Sequence, residues 1–405
     1  MVATEGFLSY GRQSISQEDI DAVVSVLRGD WLTQGPAVEA FEHALAHRVG
    51  AKHAVACSNA TTGLHLAAAA LDLKPNDAVI VPSITFLSTA NAVRFVGAEV
   101  VFADVDPDTA LMTSEHVADA ISRAKAAGLI PRAVFPVHFA GQAAGVGEAA
   151  REFRLDIVED AAHAIGSTMN HAQGDVPVGS CPDGGMTVFS FHPVKTIATG
   201  EGGCVTTNDD MQAARLRRLR SHGMVREPQL FQSREEGFAE DGKPNLWYYE
   251  MQELGFNYRL SDLQSALGLS QLNRLNRFIE RRQTITNQYR TFLATMQPAI
   301  RPLACSPAAG STTGWHLFVA LIDFDMLGMS RGQVMAALRA SGIGTQVHYF
   351  PVHLQPYYVE RYGRLNLPGA NEYYRRCLSL PLYPDLVDDD ISRVCAALSS
   401  LTLMP

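Results

Sequence analysis

Seven short apolar runs, separated by segments with helical spacing, occupy this chain as far as Thr207. The runs are His53 to Cys57, Ala78 to Pro82, Glu99 to Ala103, Ala133 to His138, Asp156 to Glu159, Met186 to Ser190 and Gly203 to Thr207. Between them, Thr61 to Leu71, Thr85 to Val96, Ser114 to Ala127 and Gly145 to Phe153 carry the small residues that let a helix pack closely on a sheet. This alternation predicts an α/β core, a mostly parallel seven-stranded sheet covered on both faces. An N-terminal arm and a short helix, Gln17 to Arg28, precede it. Glu227 to Glu250 loses periodicity and gathers Gly, Pro and charge, so it reads as a long excursion of the kind that often serves function.

From Ser261 to Tyr289 apolar residues recur at helical spacing, which predicts one long amphipathic helix joining two domains. Gly314 to Ile322, Ser330 to Ala340, Thr345 to Tyr349 and Asp388 to Ser399 then mix strand and helix patterns in a smaller α+β unit. The expected division is 1–250 for the arm and large domain and 251–405 for the joining helix and small domain. With 47% hydrophobic residues the chain can bury a large core, and its net charge of −9 does not suit a general nucleic-acid binder. No apolar run approaches the roughly 18 residues of a membrane span, and the opening MVATEGFLSYGRQ lacks the pattern of a secretory leader. Six scattered cysteines without a C-x-x-C pair indicate neither a disulfide framework nor a cysteine zinc site. A cytoplasmic protein without nucleic-acid, membrane or metal partners is expected.

Only five of the 33 basic residues are lysines: Lys52, Lys74, Lys125, Lys195 and Lys243. Lysine forms Schiff bases and arginine does not, so each remaining lysine is worth asking about. Four sit in turns, loops or on a helix face, whereas Lys195 lies between two β-like stretches, with glycines after it. Ser58-Asn-Ala-Thr-Thr-Gly63 follows a strand and opens a helix, a place where backbone N–H groups receive phosphate, although an ordinary N-cap explains it equally. Asp160 and His163, in Val158-Glu-Asp-Ala-Ala-His163, stand at the end of a buried strand, where open α/β sheets put ligands. Taken singly, each of these is more often structural. Together they supply an amine, an acid partner for a pyridinium nitrogen and an anion cradle, the parts that pyridoxal 5'-phosphate requires. Phe86 is placed to cover one face of the ring, and Ser190 to give a second phosphate bond. Gly145-Val-Gly147-Glu-Ala-Ala150 matches a loose dinucleotide fingerprint, but it stands away from the strand end and no acidic residue follows at the right distance.

Thr33-Gln34-Gly35, the 58–63 run, Glu159-Asp160-Ala-Ala-His163, Ser190-Phe-His-Pro-Val-Lys195 with Gly200-Glu-Gly-Gly203, Ser221-His222-Gly223 and Gly255-Phe-Asn257-Tyr-Arg259 together resemble the nucleotide-sugar aminotransferases of the DegT/DnrJ/EryC1/StrS group. The resemblance covers nearly the whole chain and implies the fold of the aspartate aminotransferase superfamily, pyridoxal phosphate fold type I. It implies pyridoxal phosphate as cofactor, with pyridoxamine phosphate in the cycle. Lys195 would then join the cofactor's aldehyde, Asp160 would face the ring nitrogen, and His163 would lie near the ring or its O3'. Ala60, Thr61 and Ser190 would hold the phosphate, and Asn257 would reach a neighbour's phosphate across a homodimer interface.

Some relatives carry histidine in place of the lysine and act as dehydratases, so Lys195 favours transamination. Trp247-Tyr-Tyr-Glu-Met-Gln-Glu-Leu-Gly255, Ala266-Leu-Gly-Leu-Ser-Gln-Leu272 and Gln346-Val-His348-Tyr-Phe-Pro-Val-His353-Leu-Gln-Pro-Tyr357 look most like the pseudaminic acid branch. That branch aminates C4 of UDP-2-acetamido-2,6-dideoxy-β-L-arabino-hexos-4-ulose, with L-glutamate as the implied donor. Tyr10, Thr33, Gln34, His348, His353 and Tyr357 are the substrate-side candidates, and each reads equally well as a surface polar residue. A GDP-perosamine synthase-type or other keto-sugar aminotransferase, a nicotinamide-dependent oxidoreductase and a non-enzymatic pyridoxal-binding regulator remain as alternatives.

Overall fold

The computed structural model describes residues 6–172 and 174–402, so the first five residues of the stretch read for a leader fall outside it. Strands β1 (His53–Cys57), β2 (Asp77–Pro82), β3 (Glu99–Ala103), β4 (Ile130–Val134), β5 (Asp156–Asp160), β6 (Met186–Ser190) and β7 (Gly203–Thr207) form one sheet in the order β1-β7-β6-β5-β4-β2-β3. The neighbours from β6 to β3 run parallel, while β7 is antiparallel to both β1 and β6. β2, β6 and β7 are buried along their whole length, as strands covered on both faces must be.

The predicted strand at Ala133 to His138 begins and ends earlier. Pro131 is tolerated at the start of β4 because the pairing with β2 shifts register there. Regular pairing stops before Pro136, and Val137 makes only a single bridge to Asp160. The helix after β1, Ala60–Ala70, crosses to lie on β6 and β7, which carries its N-terminus to the middle of the sheet. That crossing needs two glycines. A Cβ on Gly63 would lie 2.9 Å from Val188 Cγ1, and one on Gly203 would lie 2.5 Å from the backbone carbon of Asn59.

The long helix expected over Ser261 to Tyr289 is two helices, Asp262–Asn273 and Leu275–Leu293, broken at Arg274. At the break sits Asp19, a buried carboxylate on the first helix. It accepts from Ser270 at 2.6 Å and Gln271 at 2.7 Å on one side of the break and from Arg274 at the break itself. A second core then gathers Leu275–Leu293, the antiparallel strands β8 (Ile300–Pro302), β9 (Phe318–Ile322) and β10 (Cys377–Leu380), and the helices Arg331–Ala340 and Asp388–Leu401. Thr345 to Tyr349 is not a strand and contributes one bridge, Gln346 to Ser379. Arg282, fully buried, donates from one guanidinium nitrogen to the carbonyls of Trp315 (3.2 Å), His316 (3.2 Å) and Leu382 (3.1 Å). The N-terminal arm joins this unit as well. Leu8 N–H reaches Gly342 O at 2.8 Å and Leu382 N–H reaches Tyr10 O at 3.0 Å, which fixes Tyr10 over the strand ends.

Glu227 to Glu250 is an excursion of short turns that returns to pair Glu250–Met251 with Met224–Val225. Among the described residues no helix is long and apolar enough to cross a membrane.

Gly203→Ala places its methyl group against the backbone of the Asn59–Ala60 turn, which no rotamer change can relieve. A loss of about 1–3 kcal/mol is expected, read as a lower urea midpoint at unchanged slope.

Candidate active site

The strands that end near the middle of the sheet bring the helix start at Asn59, the end of β5 and the turn after β6 to one edge. Asn59 caps the helix Ala60–Ala70 by accepting from Thr62 N–H at 2.9 Å, while Thr62 Oγ1 accepts the Asn59 N–H at 3.2 Å. The N–H groups of Ala60 and Thr61 are left without an acceptor among the described residues. They point out of the positive end of the helix, where an anion is stabilised. Ser190, the last residue of β6, stands across from them with its hydroxyl oxygen 3.4 Å from the His192 N–H.

Asp160 ends β5 and is 4% exposed. Its Oδ2 accepts from Thr89 Oγ1 at 2.7 Å and its Oδ1 from Ala162 N–H at 3.1 Å, so the carboxylate is held at both oxygens. Thr85 supports Thr89 through a hydroxyl contact of 2.7 Å. Lys195 faces this carboxylate from the turn after β6, and no hydrogen bond fixes its Nζ among the described residues. Burial in the cleft wall pulls its pKa down to about 8, with Asp160 opposing the drop.

His163 lies one turn beyond Asp160. Its Nδ1 accepts the Ala140 N–H at 3.3 Å, and its Nε2 lies 3.2 Å from the Tyr349 hydroxyl. His316 packs against it with ring centroids 4.5 Å apart, and its own N–H reaches the Ala140 carbonyl at 3.0 Å. Ala140 adopts φ 58°, a left-handed conformation that turns its N–H to one histidine and its carbonyl to the other. Burial holds both imidazoles well below the ordinary histidine range, and the nearby Lys195 charge adds to the effect. His348, bonded to Ser379 at 2.8 Å, is lowered to about 3 by burial and then by Lys195.

These groups line a single cavity of about 610 Å³. Of the residues singled out from sequence, Tyr10, Ala60, Thr61, Phe86, Asp160, His163, Ser190, Lys195 and His348 line it. Thr33, Gln34, Asn257, His353 and Tyr357 do not. His353 is buried behind the wall, 2.5 Å from Ser83 Oγ and packed on Phe102. Tyr357 is exposed on the helix Pro356–Tyr362, and Thr33 is exposed where it pairs with Ser261. Asn257 is exposed on a loop that Ser58 anchors by donating to Tyr258 O at 2.8 Å.

Sequence reasoning missed Thr89, His316 and Tyr349. The Thr85 and Thr89 pair, one helical turn apart after the end of β2, and the place of Tyr349 beside His348 were available signals, whereas His316 had none. The lining fits pyridoxal phosphate on three counts: unclaimed N–H groups at a helix start seated closely on Gly203, a buried carboxylate, and an amine without a hydrogen-bond partner among the described residues.

The sequence pattern of the DegT/DnrJ/EryC1/StrS aminotransferase family matches residues 13–399. The chain is 38% identical over 403 residues to the spore coat polysaccharide biosynthesis protein SpsC of Bacillus subtilis (strain 168), covering 98% of this chain and 97% of that one. Among solved structures it is similar to PseC of Helicobacter pylori, an aminotransferase involved in the biosynthesis of pseudaminic acid. The TM-score is 0.84 at 26% identity, with 98% of this chain and 99% of that one covered. Spr1654 of Streptococcus pneumoniae, assigned as a sugar aminotransferase and solved in pyridoxamine phosphate and pyridoxal phosphate forms, is also similar. Its pyridoxamine form gives a TM-score of 0.83 at 26% identity, with 98% of both chains covered.

Only an uncharged amine attacks a carbonyl. Cofactor-free protein should therefore take up pyridoxal phosphate at a rate that climbs about tenfold per pH unit and levels off above the lysine pKa of about 8. Asp160→Asn removes the charge that holds this pKa up, so the midpoint should move lower. Stopped-flow absorbance checks both, and a wild-type midpoint near that of free lysine, about 10.4, would contradict the assignment.

Proposed function

Since the chain belongs to the DegT/DnrJ/EryC1/StrS aminotransferase family and is a pyridoxal phosphate-dependent sugar aminotransferase, we propose that it aminates C4 of a nucleotide-linked 4-keto-6-deoxy sugar, with L-glutamate as the donor. The proposed substrate is UDP-2-acetamido-2,6-dideoxy-β-L-arabino-hexos-4-ulose, giving UDP-4-amino-4,6-dideoxy-N-acetyl-β-L-altrosamine. The observation that carries the chemistry is Lys195, unbonded and of depressed pKa, opposite the doubly held Asp160. What supports the sugar is the likeness to PseC along nearly the whole chain. The higher identity to SpsC, named for a spore coat polysaccharide, favours a second reading in which a related keto sugar, GDP-linked or otherwise, is the acceptor.

Bound pyridoxal phosphate supplies an aldehyde that an amine can capture and a cationic ring that stabilises negative charge on the adjoining carbon. The Ala60 and Thr61 N–H groups and the Ser190 hydroxyl would hold its phosphate, Asp160 its ring nitrogen, and Phe86 and His163 its ring. Lys195 takes the proton from the donor Cα in one half-reaction and delivers a proton to sugar C4 in the other. Tyr10 and His348 would face the sugar from the rim. We assign residues 1–250 to the large cofactor-binding domain and 251–405 to the joining helices and small domain.

We further propose a homodimer in which Asn257 reaches the partner's phosphate site. Asn257 is exposed, and nearby in sequence Leu246 (98%), Trp247 (77%) and Leu254 (79%) are large apolar side chains left to solvent by a single chain.

The visible band of the purified holoenzyme should bleach with L-glutamate and return with one member of a panel of UDP- and GDP-linked 4-keto sugars. Lys195→Ala should abolish both changes, and substantial turnover in that variant would sink the assignment. Mixing Lys195→Ala with Asn257→Ala subunits should recover about one quarter of wild-type activity, because half the dimers then hold one intact composite site. No recovery on subunit exchange would place Asn257 outside the partner's site.

A further inference from the structure

An amino-acid donor brings an α-carboxylate one bond from the carbon whose proton Lys195 takes, so that carboxylate must sit beside the lysine. Among the described residues no arginine lines the cavity, although arginine outnumbers lysine heavily in the chain. The wall beside Lys195 is instead made of hydrogen-bond donors whose direction the network fixes.

His163 Nδ1 accepts the Ala140 N–H, so it carries no proton, and the neutral ring must carry its proton on Nε2. Nε2–H therefore donates to the Tyr349 oxygen at 3.2 Å, which leaves the Tyr349 hydroxyl proton without an acceptor among the described residues and free for the cavity that Tyr349 lines. His316 reaches the same end by another route. Its Nδ1 is buried without a partner, and buried N–H groups left without an acceptor are rarer in folded proteins than under-satisfied acceptors. The proton then belongs on Nε2, the nitrogen left accessible in a residue that lines the cavity. Both rings are held rigidly. His316 is fixed through its backbone by Ala140 and Arg282, and it packs against His163 at 4.5 Å.

We propose that the Tyr349 O–H and the His316 Nε2–H form a neutral two-donor site for the α-carboxylate of the amino donor. The proposal rests on the transamination reading above. A neutral pair also suits a cleft that alternates between an anionic amino acid and a sugar ring. When the carboxylate leaves, water satisfies an O–H and an N–H, whereas a buried guanidinium would be left as an unpaired charge.

The test uses the holoenzyme and three variants, Tyr349→Phe, His316→Leu and His316→Gln. Two readouts are the glutamate concentration that half-bleaches the visible band and the calorimetric affinity for glutarate, a dicarboxylate with no amine to react. Tyr349→Phe and His316→Leu should each weaken both by about tenfold to a hundredfold, the value of a hydrogen bond to a charged group. The keto-sugar half-saturation should change by less than about threefold in the same variants. His316→Gln keeps a donor and should restore most of the glutamate affinity, which separates loss of the donor from loss of packing. Unchanged glutamate and glutarate affinity in Tyr349→Phe and His316→Leu overturns the proposal, as does an equal loss for the sugar. Weakening in Arg259→Met alone would assign the carboxylate to an arginine from a second copy and overturn it too. A wild-type protein that glutamate does not bleach fails at the earlier step and defeats the transamination reading itself, whereas bleaching at unaltered half-saturation defeats this proposal alone.

Discussion

A lysine amine can be kept in a cleft walled by protein when a nearby negative charge offsets part of its lost hydration, and Asp160 is that charge for Lys195. Much of the large sheet can be read as the means of holding the two in place. β5 must end at Asp160, the helix Leu87–Phe95 must lay Thr89 over one carboxylate oxygen, and the chain after β5 must turn so that Ala162 N–H meets the other. β6 pairs beside β5 with Asp160 opposite Val188, which delivers the lysine turn from the adjoining strand end. The antiparallel β7 then closes over the helix start through Gly203, bringing the anion cradle within reach of the same cleft.

The parts of this arrangement that were legible in the sequence are those encoded locally. Strand runs, the capped helix start, Asp160 at a strand end and the isolated Lys195 each have a pattern a few residues long, and the structure gathers them into one cavity. The sites that were not legible depend on partners far along the chain. His316 owes its place to Ala140 and Arg282, and Tyr349 owes its role to His163, contacts that no spacing rule announces. His353 shows the reverse case: it sits in a motif rich in site residues, yet Ser83 and Phe102 claim it for the core. The missed break at Arg274 is alike, because helical periodicity continues through it while the groups bonded there, Asp19 and the Ser14 carbonyl, lie far away in sequence.

Three histidines of the cleft, His163, His316 and His348, are kept neutral chiefly by burial, and the Lys195 charge reinforces it. They therefore act as neutral dipoles, and for His163 the Ala140 N–H sets which nitrogen carries the proton. Lys195, brought down to about 8, can change its charge near neutral pH beside these neutral rings, which places a mobile proton where the chemistry needs one.

The arm that carries Tyr10 is pinned by Leu8 to Gly342 and by Tyr10 O to Leu382, and His348 is supported by Ser379. The arm thus completes a wall together with residues more than three hundred positions further along the chain. During synthesis the seven strands of the large sheet emerge well before Leu382, and until Leu382 follows them the arm has no docking partner there. Tyr10 can therefore take its place in the cleft only after the sheet that carries Asp160 and Lys195 is already made.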